Sequence, residues 1–168
     1  MPTVILHTNH GAIKIELDAK STPLTTENFL QYVEAGFYDN TIFHRVIDGF
    51  MVQGGGFSAG MAQKDTSPTI KNEAKHGMRN QIGTIAMART QEPHSASSQF
   101  FINVANNSFL DFQAETIQGY GYCAFGKVTE GLDVVKNIAQ TKTTTRDGHQ
   151  DVPVADVMIE RAEVIEES

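Results

Sequence analysis

The segment FHRVIDGFMVQGGG, residues 43–56, holds one permanently charged side chain, Arg45, among largely apolar neighbours. Burying an unpaired charge is costly, so Arg45 must find polar partners or lie at the rim of a cleft where it can bind a ligand. A guanidinium also stays protonated at neutral pH, so it cannot serve as an acid or a base. The segment therefore indicates a site that needs a hydrogen-bond donor above an apolar floor.

Short strands are expected along most of the chain, because runs rich in β-branched and aromatic residues are typical of strands. These runs lie at residues 3–8, 12–17, 42–47, 50–54, 83–88, 99–104, 122–128 and 156–165. Many short strands with few helices favour an antiparallel sandwich or barrel over a doubly wound sheet. Residues 57–82 and 105–121 are expected to be long loops, which in a compact domain are usually functional.

Two helices are expected to plug or flank the sheet. Thr22 can cap a first helix over about residues 23–35, and Gly36 provides a left-handed stop. The second helix begins near Gly131, where apolar residues recur at helical spacing.

Length and composition restrict the class of protein. At 168 residues the chain is expected to form one domain, residues 1–168, around a single core. The net charge of −7 repels phosphate backbones and anionic lipids, so neither nucleic acid nor a membrane is an expected partner. The single Cys123 cannot form an internal disulfide, and the residues after Met1 lack a basic and apolar leader. We therefore expect a cytoplasmic protein, acting as a monomer.

Other kinds of site have weaker support. The glycines at 54–56 are not followed by the Lys and Ser or Thr of a phosphate-binding loop, so they predict a bend that shapes a rim. His7 and His10 are the only close histidine pair, and no cysteine or carboxylate cluster joins them as metal ligands. His44 alternates with Arg45 along a strand, so it points away from any cleft that Arg45 faces. A core histidine is therefore favoured over a catalytic base.

No nucleophile is evident in the sequence. There is no GxSxG elbow, and Cys123 lies in the apolar run YCAF, which favours a buried structural thiol. A hydrolase that uses His44 or His94 is thus a weak alternative.

Residues 43–56 and several later motifs resemble the cyclophilin-type peptidyl-prolyl isomerases. The later motifs are GTIAMAR at 83–89, SQFFINV at 98–104, FLD at 109–111 and FGKV at 125–128. The similarity runs from about residue 3 to residue 165. It is strongest to the short bacterial cytosolic cyclophilins, through the HTNHG opening, ARTQEPHSAS and GYGYCAFG. Several independent motifs in the same order argue against a chance match.

The resemblance implies a mainly β fold, an eight-stranded antiparallel β-barrel closed by two α-helices, with an outer groove that binds proline-containing peptides and folding proteins. Arg45 is then the catalytic arginine, and Gln53 helps to hold the arginine and the peptide backbone. The implied proline pocket consists of Phe50, Met51, Phe101 and Leu110. The implied neighbouring subsite consists of Gln99 and the main chain around Ala88 and Arg89. The reaction requires no cofactor.

Four positions depart from the animal members of the family. Phe109 stands where those members carry Trp, which implies weaker binding of cyclosporin. Tyr122 stands where they carry a pocket histidine. Arg89 and Thr90 replace an Asn-Ala pair, which implies a different preference for the residue before proline.

The implied reaction rotates an X-Pro bond, against a barrier of ~18–20 kcal/mol that amide resonance creates. An apolar pocket and a guanidinium donor both favour the twisted midpoint of this rotation. The alternative is a peptide-binding or chaperone-like module with incidental catalysis, because the same groove must bind before it catalyses.

Overall fold

The computed structural model describes residues 2–66 and 68–166, and within them strands predominate. The strands are β1 (Thr3–Thr8), β2 (Gly11–Leu17), β3 (Thr41–Ile42), β4 (Arg45–Ile47), β5 (Met51–Gly54), β6 (Phe57–Ser58), β7 (Ala62–Gln63), β8 (Thr84–Met87), β9 (Phe100–Asn103), β10 (Ala124–Glu130), β11 (Thr143–Arg146), β12 (His149–Pro153) and β13 (Met158–Glu166). The α-helices are α1 (Pro23–Glu34) and α2 (Leu132–Ala139), and short 3-10 helices lie at Ala74–His76 and Ser108–Leu110. Positions 1, 67, 167 and 168, which the expected domain 1–168 includes, lie outside the described residues.

Within the described residues, eleven strands form one antiparallel sheet in the order β4-β5-β9-β8-β10-β2-β1-β13-β3-β6-β7. Three of them, β3, β6 and β7, have only two residues each, so the other eight make up most of the curled sheet. The expected mainly β fold with two helices is confirmed, in the form of a half-barrel with short additional strands. The predicted strand at 42–47 divides after Ile42, because β3 pairs with β13 and β6 whereas β4 pairs with β5.

One face of the sheet packs on the main hydrophobic core, which α1 and α2 also join. Val52 on β5 and Ile102 on β9 lie directly opposite each other and are fully buried there. Phe29 of α1 meets Phe100 edge to face, with 5.5 Å between ring centroids. Burying each large apolar side chain contributes about 1.5–3 kcal/mol, so this core holds the helices to the sheet.

The N-terminus of α1 differs from the sequence prediction. The Thr22 hydroxyl does not cap the helix, because it donates to the carbonyl of Asp18 at 2.7 Å. The carboxylate of Glu73 takes its place and accepts hydrogen bonds from the backbone N–H groups of Leu24 at 3.3 Å and Thr25 at 2.7 Å. A local sequence pattern cannot reveal a cap that is supplied from so far along the chain.

The C-terminus of α1 is as predicted, since Gly36 has a φ of +73° and donates its N–H to the carbonyl of Val33 at 3.1 Å. The predicted loop at 57–82 contains the short strands β6 and β7 and a 3-10 helix, and the loop at 105–121 contains a 3-10 helix. The separate β11–β12 hairpin is not predicted by the pattern of the sequence. Among the described residues, no helix is long and apolar enough to cross a bilayer.

Candidate functional site

A single row of residues crosses the outer face of the sheet. Arg45 on β4 lies directly opposite Gln53 on β5, which lies opposite Phe101 on β9. The row continues through Ala86 on β8 to Ala124 on β10. Directly paired residues of neighbouring strands point to the same face of a sheet. The strand register alone therefore brings the guanidinium, the amide and the aromatic ring side by side.

A hollow of about 150 Å³, the central hollow, opens on this row. It is lined by Arg45, Phe50, Met51, Gln53, Ala88, Arg89, Phe101, Leu110 and Tyr122. All nine are among the eleven site residues expected from the sequence. The structure thus brings most of the expected site together on one face.

The two remaining expected residues, Gln99 and Phe109, line adjacent hollows. The glutamine hollow is lined by Gln53, Gln63, Ala88, Arg89, Thr90, Ser95, Ser97 and Gln99. The outer hollow is lined by Arg89, Gln91, Phe109, Asp111, Gln113, Ile117, Gln118, Gly121 and Tyr122. Both adjoin the central hollow, because each shares residues with it.

The floor of the central hollow is apolar. Met51 and Phe101 are only 2% and 4% exposed, and they belong to a buried cluster distinct from the main core. Alternation along β9 explains this separation, because Phe100 and Ile102 face the main core while Phe101 faces the hollow. The floor can hold an apolar group of a ligand without leaving a buried polar group unpaired.

The guanidinium of Arg45 is exposed at the rim of the central hollow. Among the residues that the structure describes, this side chain makes no hydrogen bond and no ion pair. Exposure removes the cost of an unpaired charge. Arg45 therefore has its donors free for a ligand, as expected of a binding cation at the edge of a cleft.

The neighbour of Arg45, Gln53, is held by a second glutamine. Nε2 of Gln53 donates to Oε1 of Gln99 at 3.0 Å. The Gln99 side chain lies against Gly56, where an added Cβ would be only 2.5 Å from Gln99 Cγ. The run of glycines therefore shapes the rim, as predicted, and Gly55 makes the bend with a φ of +87°.

Arg89 and Tyr122 form another wall of the central hollow. The guanidinium carbon of Arg89 lies 4.5 Å from the centroid of the Tyr122 ring. Nε of Arg89 donates to the carbonyl of Gly121 at 2.9 Å, and Nη1 donates to the carbonyl of Thr90 at 2.8 Å. The Tyr122 ring packs edge-on against Phe101, with centroids 5.7 Å apart. These contacts join Arg89, Tyr122 and Phe101 into one continuous wall.

Phe109 lies on the 3-10 helix Ser108–Leu110 and is 66% exposed. Its ring stacks on that of Phe50, with centroids 5.8 Å apart. The phenyl ring thus extends the apolar surface beyond the central hollow but supplies no hydrogen-bond donor.

A buried amide network beside the central hollow is absent from the sequence prediction. Nδ2 of Asn103 donates to Oδ1 of Asn80 at 3.1 Å and to the Thr84 hydroxyl at 2.9 Å. Nδ2 of Asn107 donates to Oδ1 of Asn103 at 2.8 Å and to the carbonyl of Phe50 at 2.9 Å. The network therefore fixes the backbone that carries Phe50. The sequence does contain a signal for this network, the asparagine in the apolar strand FFIN. A buried polar side chain needs hydrogen-bond partners, so this residue indicates polar groups nearby.

His44 points away from the central hollow, as predicted, and is 5% exposed. Its ring centroid lies 4.5 Å from that of Phe57. Burial, together with the charges of His149 and Arg45, lowers the pKa of His44 to about 4. His44 is therefore a neutral core histidine at neutral pH, and it lines none of the three hollows.

Cys123 is 3% exposed, as expected of a structural thiol. Burial raises the pKa of this thiol to about 12, so a reactive thiolate does not form near neutral pH. Within residues 2–66 and 68–166, no group of three His, Cys, Asp or Glu side chains could hold a metal ion.

Comparison with known proteins agrees with this geometry. A family model described as "Cyclophilin type peptidyl-prolyl cis-trans isomerase/CLD" matches residues 3–164. Over 163 residues the chain is 56% identical to "Peptidyl-prolyl cis-trans isomerase B" of Escherichia coli (strain K12), covering 97% of this chain and 99% of that protein. Over 165 residues it is 55% identical to "Peptidyl-prolyl cis-trans isomerase cyp18" of Streptomyces antibioticus, covering 98% and 99%.

The fold also matches a solved structure. A crystal structure of a Cryptosporidium parvum cyclophilin type peptidyl-prolyl cis-trans isomerase, in the presence of the dipeptide Ala-Pro, aligns with a TM-score of 0.80 at 25% identity. The alignment covers 98% of this chain and 99% of that one. Family motifs, full-length relatives and fold agree, and the chain belongs to the cyclophilin-type peptidyl-prolyl cis-trans isomerases.

Proposed function

We propose that this isomerase holds the proline ring of an X-Pro peptide in the central hollow while Arg45 donates a hydrogen bond to the twisting amide. The observation that carries the proposal is the unpaired guanidinium of Arg45 in one row with Gln53 and Phe101. The Cryptosporidium parvum relative, studied with Ala-Pro, supports a proline-containing ligand.

The apolar floor of the central hollow destabilises the planar form of the X-Pro amide. Resonance holds an X-Pro bond planar with a barrier of ~18–20 kcal/mol. At the twisted midpoint that resonance is lost, the proline nitrogen regains a lone pair, and the amide becomes less polar. Burial against Met51 and Phe101 therefore disfavours the planar states more than the midpoint.

Arg45 stabilises the twisted midpoint of the rotation by donating a hydrogen bond. Its N–H groups can donate to the proline nitrogen, or to the adjacent carbonyl, and this bond is strongest when the nitrogen lone pair is free. A 10⁴-fold acceleration needs about 5.5 kcal/mol. One charge-assisted hydrogen bond supplies ~1.5–3 kcal/mol, so desolvation and orientation by Gln53 and Gln99 must supply the rest. No covalent bond breaks, so the reaction requires no nucleophile, metal or redox cofactor.

We further propose that the enzyme works as a monomer of one domain, residues 1–168, on folding or regulatory proteins in the cytoplasm. An unpaired, buried Cys123 is compatible with a reducing compartment. Cyclosporin is expected to bind weakly, because Phe109 offers no donor at the edge of the groove.

A second candidate function is the holding of unfolded proline-containing segments, with catalysis incidental. It is favoured by the exposed apolar side chains Phe109 and Ile117, at 66% and 64% exposure, which line the outer hollow. Exposed apolar surface beside a groove is typical of peptide-binding surfaces.

The variant Arg45→Ala tests the proposal. Its kcat/KM for a proline-containing tetrapeptide is expected to fall about a hundredfold, as when one donor to a transition state is removed. The exposed Arg79, which lines none of the three hollows, provides the matched control Arg79→Ala. Unchanged turnover in Arg45→Ala, with an unchanged denaturation midpoint, contradicts the mechanism. Undiminished assistance of client refolding by the same variant, together with the loss of tetrapeptide turnover, would favour the holding function.

A further inference from the structure

We propose that Arg89 makes this isomerase prefer substrates with an acidic side chain immediately before proline. The inference rests on the proposed function of the central hollow, because it concerns the residue joined to the proline bound there. It goes further by assigning a charge to the preferred substrate.

Arg89 lies where the hollows meet. It lines the central hollow with Arg45, the glutamine hollow with Gln53 and Gln99, and also the outer hollow. The rotated bond joins residue X to proline, so X lies on the side of the proline ring that Arg45 and Gln53 face. The glutamine hollow shares Gln53 with the central hollow, and Arg89 is the cationic residue in its lining.

The charge of Arg89 is not neutralised by the protein. Its hydrogen-bond acceptors are neutral carbonyls, those of Gly121, Thr90 and, at 3.4 Å, Gln91. Within the described part of the chain, no carboxylate forms an ion pair with it. Asp111 shares the outer hollow with Arg89, but its Oδ1 accepts from the backbone N–H and the side chain of Asn80. Donors of the guanidinium thus remain available to a substrate carboxylate.

The guanidinium is also held in place before any substrate arrives. It lies over the Tyr122 ring at 4.5 Å, and Tyr122 packs against Phe101 in the floor. A cation over an aromatic face is stabilised by the ring, and a planar guanidinium fixed in this way loses little conformational freedom when it binds a carboxylate. Charge and position together favour Asp or Glu at residue X and disfavour Lys.

The net charge of the protein opposes this preference only weakly. The chain carries a net charge of −7, which repels acidic peptides at long range. At physiological salt, charges more than about 8–10 Å apart are largely screened from each other. The charges of a direct ion pair in the groove are closer together than this, so salt weakens their attraction less. A partly exposed ion pair is worth up to ~1 kcal/mol, so the expected preference for an acidic residue over a basic one is about fivefold.

The test compares tetrapeptides Ala-Xaa-Pro-Phe in which Xaa is Glu, Ala or Lys. Values of kcat/KM are measured without a coupling protease for the wild-type protein, Arg89→Gln and Arg89→Lys. The readout is the ratio of kcat/KM for Glu to that for Lys. We expect this ratio to be about fivefold in the wild type, near one in Arg89→Gln and mostly retained in Arg89→Lys. In the wild type it should shrink as salt rises to about 0.5 M, which provides a test without any mutation.

The outcomes are distinguishable. A Glu-to-Lys ratio near one in the wild type overturns the proposal, and so does a ratio that Arg89→Gln leaves unchanged. In either case, turnover of the Ala peptide would show that the isomerase function itself still holds. If Arg89→Gln lowers kcat/KM equally for all three peptides, Arg89 has a positioning role and the proposal is overturned. Complete loss of the Glu-to-Lys ratio in Arg89→Lys, which keeps the charge, also overturns the proposal. A matched series Ala-Ala-Pro-Xaa places the charge after proline, and a larger Glu-to-Lys ratio in that series would contradict the assigned side of the groove. If no peptide is turned over, the proposed function itself fails.

Discussion

Nε2 of Gln53 donates a 3.0 Å hydrogen bond to Oε1 of Gln99, and this bond links the residue opposite Arg45 to the segment just before β9. The Gln99 side chain lies directly against Gly56, in space that a Cβ at that position would occupy. Gly56, the last of three glycines in sequence, thus influences the position of a side chain on the segment that leads into the neighbouring strand β9. The glycine run contributes to the groove although none of its members carries a functional group.

Gly56→Ala is therefore expected to lower kcat/KM about tenfold. The new Cβ would lie 2.5 Å from Cγ of Gln99 and displace that side chain from Gln53. Gly56 is not among the glycines with positive φ, so backbone strain is not the expected cause of the loss. Overpacking of this kind costs about 1–3 kcal/mol, and urea denaturation measures how much of it appears as lost stability.

A double variant separates displacement of Gln99 from general disruption. If the clash acts through Gln99, then Gly56→Ala combined with Gln99→Ala should have the same kcat/KM as Gln99→Ala alone. Additive losses in the double variant would show that the added methyl group acts by another route.

The alternation of side chains along a strand predicts which residues of the groove share a face, but it does not tell which face of the sheet carries the groove. The sequence shows that Phe101 faces one side of the sheet while Phe100 and Ile102 face the other, and the structure confirms this division. Both sides carry large apolar residues, so periodicity alone cannot tell the groove from the core. The family resemblance supplies that choice, and the strand register explains why Arg45 and Phe101 share a face.

Features that depend on distant contacts escape sequence reasoning. The cap of α1 comes from Glu73, and the network beneath Phe50 joins asparagines from separate segments. The β11–β12 hairpin has a local signal, Asp147-Gly148, with φ values of +48° and +80° in its turn. Its flanking residues TTTR and HQDVP lack apolar alternation, which is why the strand pattern does not reveal them.

The pKa of His44 predicts how stability depends on pH. Burial, with the charges of His149 and Arg45, lowers this pKa to about 4, whereas an unfolded histidine has a pKa of about 6.5. Between these values the unfolded chain binds more protons than the folded one. The free energy of unfolding should therefore be insensitive to His44 above about pH 6.5 and lose about 3 kcal/mol as pH falls to 4.

Urea denaturation at several pH values checks this dependence. His44→Gln removes the titrating group and should flatten the slope below about pH 6.5. His10→Gln, at an exposed position, should leave the slope intact. Identical slopes in wild type and His44→Gln would assign the acid sensitivity to other groups.

Glu73 is expected to stabilise α1 from outside the helix. Glu73→Ala removes the partner of the Leu24 and Thr25 N–H groups, and the free energy of unfolding should fall by about 1–2 kcal/mol. Glu73→Gln keeps an acceptor but not the negative charge, so its loss should be smaller. The exposed Glu92 provides the control Glu92→Ala. Equal stabilities of Glu73→Ala and Glu92→Ala would contradict the capping role.

Phe109→Trp should strengthen inhibition by cyclosporin about tenfold. Phe109 is exposed and stacks on Phe50 at the edge of the groove, so a larger ring can be accommodated there. An indole adds apolar contact area and one N–H donor, and together these are worth about 1.4 kcal/mol.

Binding of cyclosporin to this variant can be measured directly. The chain has no tryptophan, so the fluorescence of the new indole reports binding at this position alone. Leu24→Trp, an exposed position on α1, should show no fluorescence change and unaltered inhibition. Because Phe109 lies outside the central hollow, turnover of short peptides should change little while the inhibition constant falls. Unaltered inhibition together with a fluorescence change would show that the residue at position 109 touches the inhibitor without contributing to its affinity.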